Sequence, residues 1–396
     1  MSNKRAYLLG LGTGLLVMLA GIFSFSWYDR NVRWEGLTSP NRKVQEIFAL
    51  LEQFSIFEFD RAELLNSMYR GLLDGVGDPY TQYFDREALE AFHVRTEGLY
   101  VGIGVLVMVE PDDRAVVVAT VYRDTPAAAA GLLPGDRIVG VGGVDVTGRP
   151  LEEVTGLIRG PVGTSVQLSI LRPLENERFE VDVMRTQVAI PTVFHEMLPD
   201  NTGYIRIEGF DRVTQAQINE ALDELLDQDI AGLIVDVRNN PGGLLDVVAN
   251  IADRLIPEGI VTYTINAAGQ RRNWYSYPDH LGLPLVLLVN ERSASASEVL
   301  GGAIQDTGVG LLVGMQTFGK GIVQNLLYLN TCESAIKVTI ARYYTPNGRT
   351  IHGTGITPDV MVDMDPALSR RIGMLALEED VQLQAALSVM QLMMQN

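Results

Sequence analysis

Residues 284–298 read PLVLLVNERSASASE. This stretch decides the local fold around Ser295, the most informative residue of the chain. An apolar run typical of a buried strand ends at Val289, and the apolar pattern of a helix starts at Val299. The small residues between them place Ser295 at a strand-to-helix turn, where a hydroxyl is exposed and the next amide points toward the same space. That is the geometry a nucleophile needs. Taken alone, the segment also fits an ordinary helix start capped by a serine.

A second short segment, TFGKG at residues 317–321, carries a single reactive group, Lys320. Because glycines flank it, this lysine can approach another backbone closely and lose its water there. A free lysine has a pKa of about 10.4, and a general base at neutral pH needs roughly 7–8. Burial lowers a lysine pKa because desolvation disfavours the ammonium form. Taken alone, this segment also fits a solvated turn.

The order of motifs in the second half of the chain resembles that of the carboxy-terminal processing proteases, also called tail-specific proteases. A buried strand runs into DVRNNPGG at residues 236–243, and the serine and lysine segments follow. In that family the nucleophile lies three residues before a glutamate and 25 before a lysine, which gives Ser295, Glu298 and Lys320 here. A glutamine one helical turn after the lysine orients it, and Gln324 occupies that place. The resemblance runs from about residue 40 to the C-terminus. It implies a serine endopeptidase with a Ser–Lys dyad on an α/β, crotonase-like core.

The acyl intermediate of such an enzyme needs an oxyanion hole, usually backbone amides about 3 Å from the developing charge. The amide of Ala296 follows the nucleophile directly. Gly242 and Gly243 open the next helix, so we expect their amides to be unpaired and to contribute, Gly242 in preference to Gly243. We expect Glu298 and Arg238 to support the site rather than to react.

Residues 91–185 have a different character, with short β-rich runs and frequent glycine turns. A helix stopped by Gly131, a Pro-Gly-Asp turn at 134–136 and a helix at 151–158 give this region its resemblance to a PDZ domain. The resemblance implies that a glycine-rich loop binds the C-terminal carboxylate of a protein substrate while the substrate tail adds a strand to the sheet edge. The residues expected to bind the peptide are Gly98, Leu99, Tyr100, Val101, Gly102, Ile103 and Gly104.

Two alternatives stay open. A histidine base would use His352 or His195, although neither comes with a recognisable acid partner in the sequence. A catalytically inactive PDZ scaffold could use the same fold for binding alone. Such a scaffold has no need to keep Ser295, Lys320 and Gln324 together at this spacing.

Composition narrows the possible classes of protein. A chain of 396 residues is long enough for two or three domains. Its net charge of −18 argues against a nucleic-acid partner, because nucleic-acid-binding proteins carry basic patches. Cys332 is the sole cysteine, so no intramolecular disulfide can form, and the four histidines show no ligand spacing. We therefore expect no metal and no cofactor.

Residues Ala6 to Tyr28 carry no charge, and as a helix these 23 residues span about 34 Å, enough to cross a hydrocarbon core of about 30 Å. Lys4 and Arg5 precede them, as in a signal anchor. Arg30 and Arg33 follow, so the basic residues do not settle the orientation. We predict an uncleaved transmembrane helix in residues 1–28, which anchors the protein in the inner membrane of a bacterial cell envelope with its catalytic body in the periplasm.

The remaining regions are a linker and helical region at 29–90, the PDZ domain at 91–185, the protease core at 186–365 and a helical segment at 366–396. The family resemblance suggests that helical ends mediate self-association and that the PDZ domain covers the active site until a tail binds. We therefore predict a homodimer or higher oligomer that buries Leu383, Leu387 and Met390 between subunits, with an adaptor protein as a further partner. The alternative is that this helix packs on its own core.

Overall fold

The computed structural model describes residues 40–111, 113–330 and 333–395. The predicted membrane anchor lies outside these ranges and stays a prediction. Within them, no helix combines the length and the apolar character needed to cross a bilayer. The chain divides into two compact units, one ending at Gly75 and the other beginning at Val76.

The described part of the first unit is a pair of helices, α1 (Pro40–Phe54) and α2 (Arg61–Asp74). The carboxylate of Asp60 accepts hydrogen bonds from the amides of Ala62 and Glu63 and so caps the start of α2. Large apolar side chains of this unit are exposed: Ile47, Leu50, Phe54, Ile56, Phe57 and Leu72. The predicted helical region thus forms two helices with much apolar surface in solvent.

The second unit begins with β1 (Gln82–Phe84) and α3 (Arg86–Glu97), which lead into a β-rich domain. The elements of this domain are β2 (Leu99–Gly102), β3 (Val105–Val109), β4 (Val116–Val121), α4 (Pro126–Ala129), β5 (Arg137–Val141), β6 (Val144–Asp145), α5 (Leu151–Ile158), β7 (Ser165–Arg172), β8 (Glu177–Met184) and β9 (Thr186–Ala189). One sheet has the order β3-β4-β5-β7-β8, β6 pairs with β5, and β2 forms a separate ribbon with β9. Val154 of α5 packs with Val118 and Leu168 of the sheet in one buried core. This order leaves β3 at an edge of the sheet.

The rest of the chain alternates strands and helices. Its elements are β10 (Val193–Leu198), β11 (Thr202–Ile207), α6 (Thr214–Leu226), β12 (Gly232–Asp236), α7 (Leu245–Leu255), β13 (Gly259–Asn266), β14 (Arg271–Ser276), β15 (Leu285–Val289), α8 (Ala296–Thr307), β16 (Gly310–Gly314), β17 (Ile322–Tyr328), β18 (Ala335–Tyr344), β19 (Val360–Met361), α9 (Pro366–Ser369) and α10 (Val381–Met394). The main sheet has the order β10-β11-β12-β15-β16-β19, parallel except where β10 joins β11. A second, antiparallel sheet joins β1, β18, β13 and β14, with β17 also paired to β18. The serine segment therefore follows a strand of the main sheet, and the lysine segment leads into the second sheet.

Every residue of β12 and β15 is buried, as expected of strands covered on both faces. Leu285 and Leu287 belong to the core formed with α6, α7 and α8. Val286 and Leu288, which alternate with them, belong to the core formed with α10. The main sheet is thus the middle layer between helices, and the end of β15 positions the Ser295 turn.

The C-terminal helix corrects one prediction. Leu383, Leu387 and Met390 are buried in the chain's own core, 7%, 9% and 0% exposed. The prediction that they are buried between subunits is wrong, and the alternative is right. The physical reason is that the face of the main sheet opposite α6, α7 and α8 carries large apolar side chains such as Ile234, Val286 and Leu288 and needs a cover, which α10 supplies. Arg238 fixes that position because its buried guanidinium pairs with Asp380, the N-cap of α10, at 2.8 Å.

Candidate active site

Ser295 lies at the turn between β15 and α8, as the sequence predicts, in a strained backbone conformation. Its φ of 57° and ψ of −113° are unusual for a residue with a side chain. Strain of this kind persists where the surrounding structure holds it and is concentrated at functional sites. The contacts of Glu298 show what holds this turn.

The carboxylate of Glu298 joins the serine turn to the lysine segment. Glu298 is fully buried. Its Oε2 accepts the amides of Ser295 at 2.9 Å and Lys320 at 2.8 Å. Its Oε1 accepts the hydroxyl of Thr317 at 2.6 Å and the amide of Gly319 at 2.7 Å. One carboxylate therefore sets the separation of the two reactive segments, which is the supporting role expected for Glu298.

Tyr343 makes the matching contact on the carbonyl side. Its hydroxyl lies 2.9 Å from the carbonyl oxygen of Ser295 and also contacts the carbonyl oxygen of Lys320. Burial raises the pKa of this phenol well above its ordinary value, helped by the charge of Glu298, so the hydroxyl keeps its proton and remains a donor. Sequence reasoning missed this residue because nothing in the sequence separates it from Tyr344, whose ring instead stacks on Tyr263.

Lys320 is half-buried, and desolvation lowers the pKa of its amine below the ordinary lysine value, while the carboxylates of Asp78 and Glu298 oppose this shift. The side-chain nitrogen lies 4.8 Å from the centroid of the Tyr80 ring. Across the described residues, no hydrogen bond joins this amine to Ser295 or to Gln324. Desolvation thus acts in the direction a base requires, and the amine is not hydrogen-bonded to the Ser295 hydroxyl in this structure.

Gln324 belongs to β17 and not to a helix, so its placement one helical turn after the lysine is wrong. Its amide nitrogen lies 3.4 Å from the carbonyl oxygen of Ile322. A register shift between Val323 and Gln324 marks an irregularity in the pairing with β18 at this point. The side chain still reaches the same cavity as Lys320.

A single cavity of about 440 Å³ brings the predicted catalytic residues together. Its lining includes Ser295, Lys320, Gln324, Gly242, Gly243 and Ala296. Apolar side chains from three segments help to complete the wall, among them Leu244, Val299, Ile322 and Leu326. Lys337 also lines it, a second lysine that sequence reasoning did not single out.

The two glycines differ in a way the sequence does not show. The Gly242 amide donates to Asn240 Oδ1 at 2.8 Å, so the expectation that this amide is unpaired is wrong. The amides of Gly243 and Ala296 have no partner within the described chain. Gly242 matters for space instead, because its φ is +102° and a Cβ there would lie 2.8 Å from the Ser295 Cβ. The free amides favour Gly243 with Ala296 as the oxyanion donors.

The histidines do not form part of this site. His195 pairs with Glu224 at 2.8 Å, an acid partner that the sequence did not reveal, but neither residue lines the catalytic cavity. His352 is a neighbour of the lysine segment, since its backbone lies against Gly321. It too is absent from the cavity wall.

A second cavity, of about 470 Å³, lies between β3 and α5. Of the residues predicted to bind the peptide, Tyr100, Gly102 and Ile103 line it. Leu99 and Val101 do not, because successive residues of β2 point to opposite faces of the strand. Gly104 is also absent from the lining, and Gly98 is the left-handed cap of α3. The lining residues that sequence reasoning missed are Val105, Leu106, Val107, Leu151, Thr155 and Ile158. The signals available for them were the apolar run of β3 and the helical spacing of Leu151, Thr155 and Ile158 on α5.

The Ile103 amide at the end of this groove donates to no partner among the described residues, whereas the Gly104 amide faces the hydroxyl oxygen of Tyr100. Gly104 has a φ of +94°, and a Cβ there would lie 2.2 Å from the side chain of Thr125. A side chain at this position would therefore disturb the loop that carries the free Ile103 amide.

Comparison with known proteins decides the family. A model of peptidase family S41 matches residues 201–362, and a PDZ-domain model matches residues 117–172. A carboxyl-terminal-processing protease from Picosynechococcus sp. is 35% identical over 317 residues, which cover 79% of this chain and 76% of that protein. The chain belongs to the carboxyl-terminal processing proteases of peptidase family S41. This S41 protease is accordingly a serine-type peptidase with a PDZ domain.

Two further comparisons agree with this assignment. A carboxy-terminal processing protease from Bacillus subtilis is 32% identical over 325 residues, covering 81% of the S41 protease described here and 67% of the relative. The crystal structure of a Bacteroides fragilis protein assigned to the S41 proteases superposes with a TM-score of 0.50 at 16% identity, covering 81% of this chain and 90% of that one. This last likeness concerns the fold alone.

Proposed function

We propose that this S41 protease is an endopeptidase that binds the C-terminal tails of protein substrates in the groove between β3 and α5. It cleaves peptide bonds by acyl transfer with a Ser295–Lys320 dyad on a crotonase-like core. The observation that carries the proposal is that Ser295, Lys320 and the free amides of Gly243 and Ala296 line one cavity. Glu298 and Tyr343 support it, because they tie the serine and lysine segments together through both amides and both carbonyls.

In this mechanism the neutral amine of Lys320 takes the proton of the Ser295 hydroxyl as the oxygen attacks the scissile carbonyl. The amides of Ala296 and Gly243 stabilise the negative charge on the tetrahedral intermediate. The lysine ammonium then donates its proton to the leaving amine, and a water repeats the sequence to release the acyl group. A neutral glutamine such as Gln324 can orient the lysine without raising its pKa, which a carboxylate would do.

The groove supports recognition of substrate tails. Strand β3 has an unpaired edge in the described sheet, to which an extended peptide can add as a further strand. The Ile103 amide is available to a terminal carboxylate, and apolar side chains such as Leu106 and Ile158 form the wall. Peptides with a free C-terminus should bind, and the same peptides with an amidated C-terminus should bind much more weakly, as measured by fluorescence anisotropy.

Substitution of the two reactive residues tests the mechanism. Ser295→Ala and Lys320→Ala should both lose cleavage of a tail-bearing substrate while still binding its tail. Lys320→Arg should fail as well, because arginine does not deprotonate in proteins. Ser388→Ala, a serine on exposed α10 surface, is the matched control and should cleave normally. If either Lys320 variant keeps its activity, the base lies elsewhere, and His352 becomes the next residue to replace.

Location and assembly complete the proposal. We expect residues 1–28 to anchor the protein in the inner membrane with the peptidase in the periplasm, so that added protease degrades it in spheroplasts but not in intact cells. We expect self-association through the exposed apolar surface of α1 and α2, and an adaptor protein as a further partner. A light-scattering mass equal to one subunit for the soluble body would contradict self-association.

A further inference from the structure

The amine of Lys320 rests on an aromatic ring in this structure. Its nitrogen lies 4.8 Å from the centroid of Tyr80, within the distance of about 6 Å over which a ring face attracts a cation. The carboxylate of Asp78, two residues earlier, also stabilises the ammonium form. Both contacts act on the charged lysine and not on the neutral one.

Local hydrogen bonds fix the position of Tyr80. The carboxylate of Asp78 accepts the Tyr80 amide at 3.0 Å and the Thr81 hydroxyl at 2.7 Å, which closes a tight turn. The Thr339 amide on β18 lies 3.4 Å from the Thr81 hydroxyl oxygen. The same strand carries Tyr343, which contacts the backbone of Lys320. The ring and the lysine are therefore attached to one strand, and their contact does not depend on a free-standing loop.

The other charged groups around Lys320 come from several elements. They are Asp78 before β1, Arg95 on α3, Glu208 and Asp211 between β11 and α6, Glu298 on α8 and Lys337 on β18, and the His352 backbone lies against Gly321. Glu298 is occupied by four hydrogen bonds from the backbone and Thr317. Lys337 has its own ring, with its nitrogen 5.5 Å from the centroid of Phe84. Two lysines of one cavity thus lie over two rings, Tyr80 just before β1 and Phe84 at its last position.

We propose that Tyr80 is a positioning residue that holds the protonated Lys320 over its ring in the resting enzyme, where the amine is not hydrogen-bonded to Ser295. The inference rests on the proposed Ser295–Lys320 mechanism. A ring face attracts only the ammonium, so the amine is released when it loses its proton. Because of Tyr80, Lys320 therefore loses its proton and becomes available as a base at a higher pH than it would in the same cavity without the ring.

The test is the pH dependence of kcat/KM for Tyr80→Leu, Tyr80→Phe and the wild type. Activity rises with pH as Lys320 loses its proton. Without the ring the ammonium loses a stabilising contact, so the midpoint of Tyr80→Leu should fall by about 0.5–1 pH unit. At a pH below the midpoint, this variant should be about threefold to tenfold more active than the wild type. Tyr80→Phe keeps the ring face, and its profile should coincide with that of the wild type.

Phe84→Leu is the matched control. It removes the ring beneath Lys337 and leaves the one beneath Lys320. The midpoint of its pH profile should therefore shift less from the wild-type value than that of Tyr80→Leu. A general loss of packing would lower activity at every pH without shifting the midpoint. If Tyr80→Leu does not fold, pentafluorophenylalanine at position 80 keeps the ring's shape but removes its attraction for cations, and the same downward shift is expected.

The outcomes separate this inference from the mechanism beneath it. Coincident midpoints for wild type and Tyr80→Leu, or for wild type and the fluorinated variant, together with an inactive Lys320→Ala, would overturn the role of Tyr80 and leave the dyad intact. An active Lys320→Ala would overturn both.

Discussion

The substitution Glu298→Gln tests whether one carboxylate holds the catalytic geometry. Each oxygen of Glu298 accepts two hydrogen bonds, whereas a glutamine has one accepting oxygen and an NH2 group that can only donate. The best arrangement keeps the oxygen toward Ser295 and Lys320 and turns the NH2 toward Thr317 and Gly319. The Thr317 hydroxyl can rotate to accept, but the Gly319 amide is left facing another donor.

The cost follows from that count. A buried donor without a partner costs about 1–3 kcal/mol, and the bonds that remain lose the strength that a charged acceptor gives. We expect a loss of about 2–4 kcal/mol in the free energy of unfolding. Displacement of a catalytic group by about 1 Å can reduce the rate on the order of a hundredfold. Since Glu298 does not line the cavity, kcat should fall by about this factor while KM changes little.

Urea unfolding and steady-state kinetics on a tail-bearing peptide measure the two effects. Glu291→Gln makes the same chemical change at an exposed position of the same turn and should alter neither quantity. Wild-type stability and wild-type kcat in Glu298→Gln would refute the argument that this carboxylate holds the two segments in place.

Three further substitutions test other parts of the structure. Gly242→Ala should lower the melting temperature and reduce kcat about a hundredfold or more, because its Cβ would lie 2.8 Å from that of Ser295 and 2.7 Å from the Ala294 carbonyl oxygen; unchanged kcat would refute the close approach. Arg238→Met should lower the free energy of unfolding by about 3–5 kcal/mol, since it leaves buried carboxylates such as Asp380 unpaired, and an unchanged urea midpoint would contradict this. Leu387→Glu should lower the melting temperature without changing the mass found by light scattering. A change of mass at unchanged melting temperature would indicate instead that α10 packs between subunits.

Much of the catalytic site could be predicted from local sequence. A buried strand followed by small residues and a helical pattern determines where Ser295 lies, since the turn between such elements is a local feature. Glycines on both sides of Lys320 predict a close backbone approach, and Gly319 and Gly321 do lie against residues 352–355. The family resemblance then supplied the pairing of serine with lysine, which local patterns alone could not.

Other residues of the site are decided by pairings between distant segments. The Gly242 amide is used by a neighbouring side chain, which a pattern of glycines cannot reveal. Tyr343 and Tyr80 reach the lysine because β1, β17 and β18 pair in one sheet, although Tyr80 lies 240 residues before Lys320 in the chain. Such contacts depend on strand register, which is set only when the hydrophobic faces of the strands pack into the core.

The sequence by itself determined the α/β alternation, the turn that carries Ser295 and an apolar face on the C-terminal helix, because each follows from the order and periodicity of neighbouring residues. Only the tertiary structure decided what that face covers. An apolar helix lowers its free energy equally well on its own sheet or on another subunit, and the sequence does not distinguish the two surfaces. Here α10 packs on the otherwise uncovered face of its own main sheet, and the buried Arg238–Asp380 pair stabilises that position. As a result, β12 and β15 are covered on both faces.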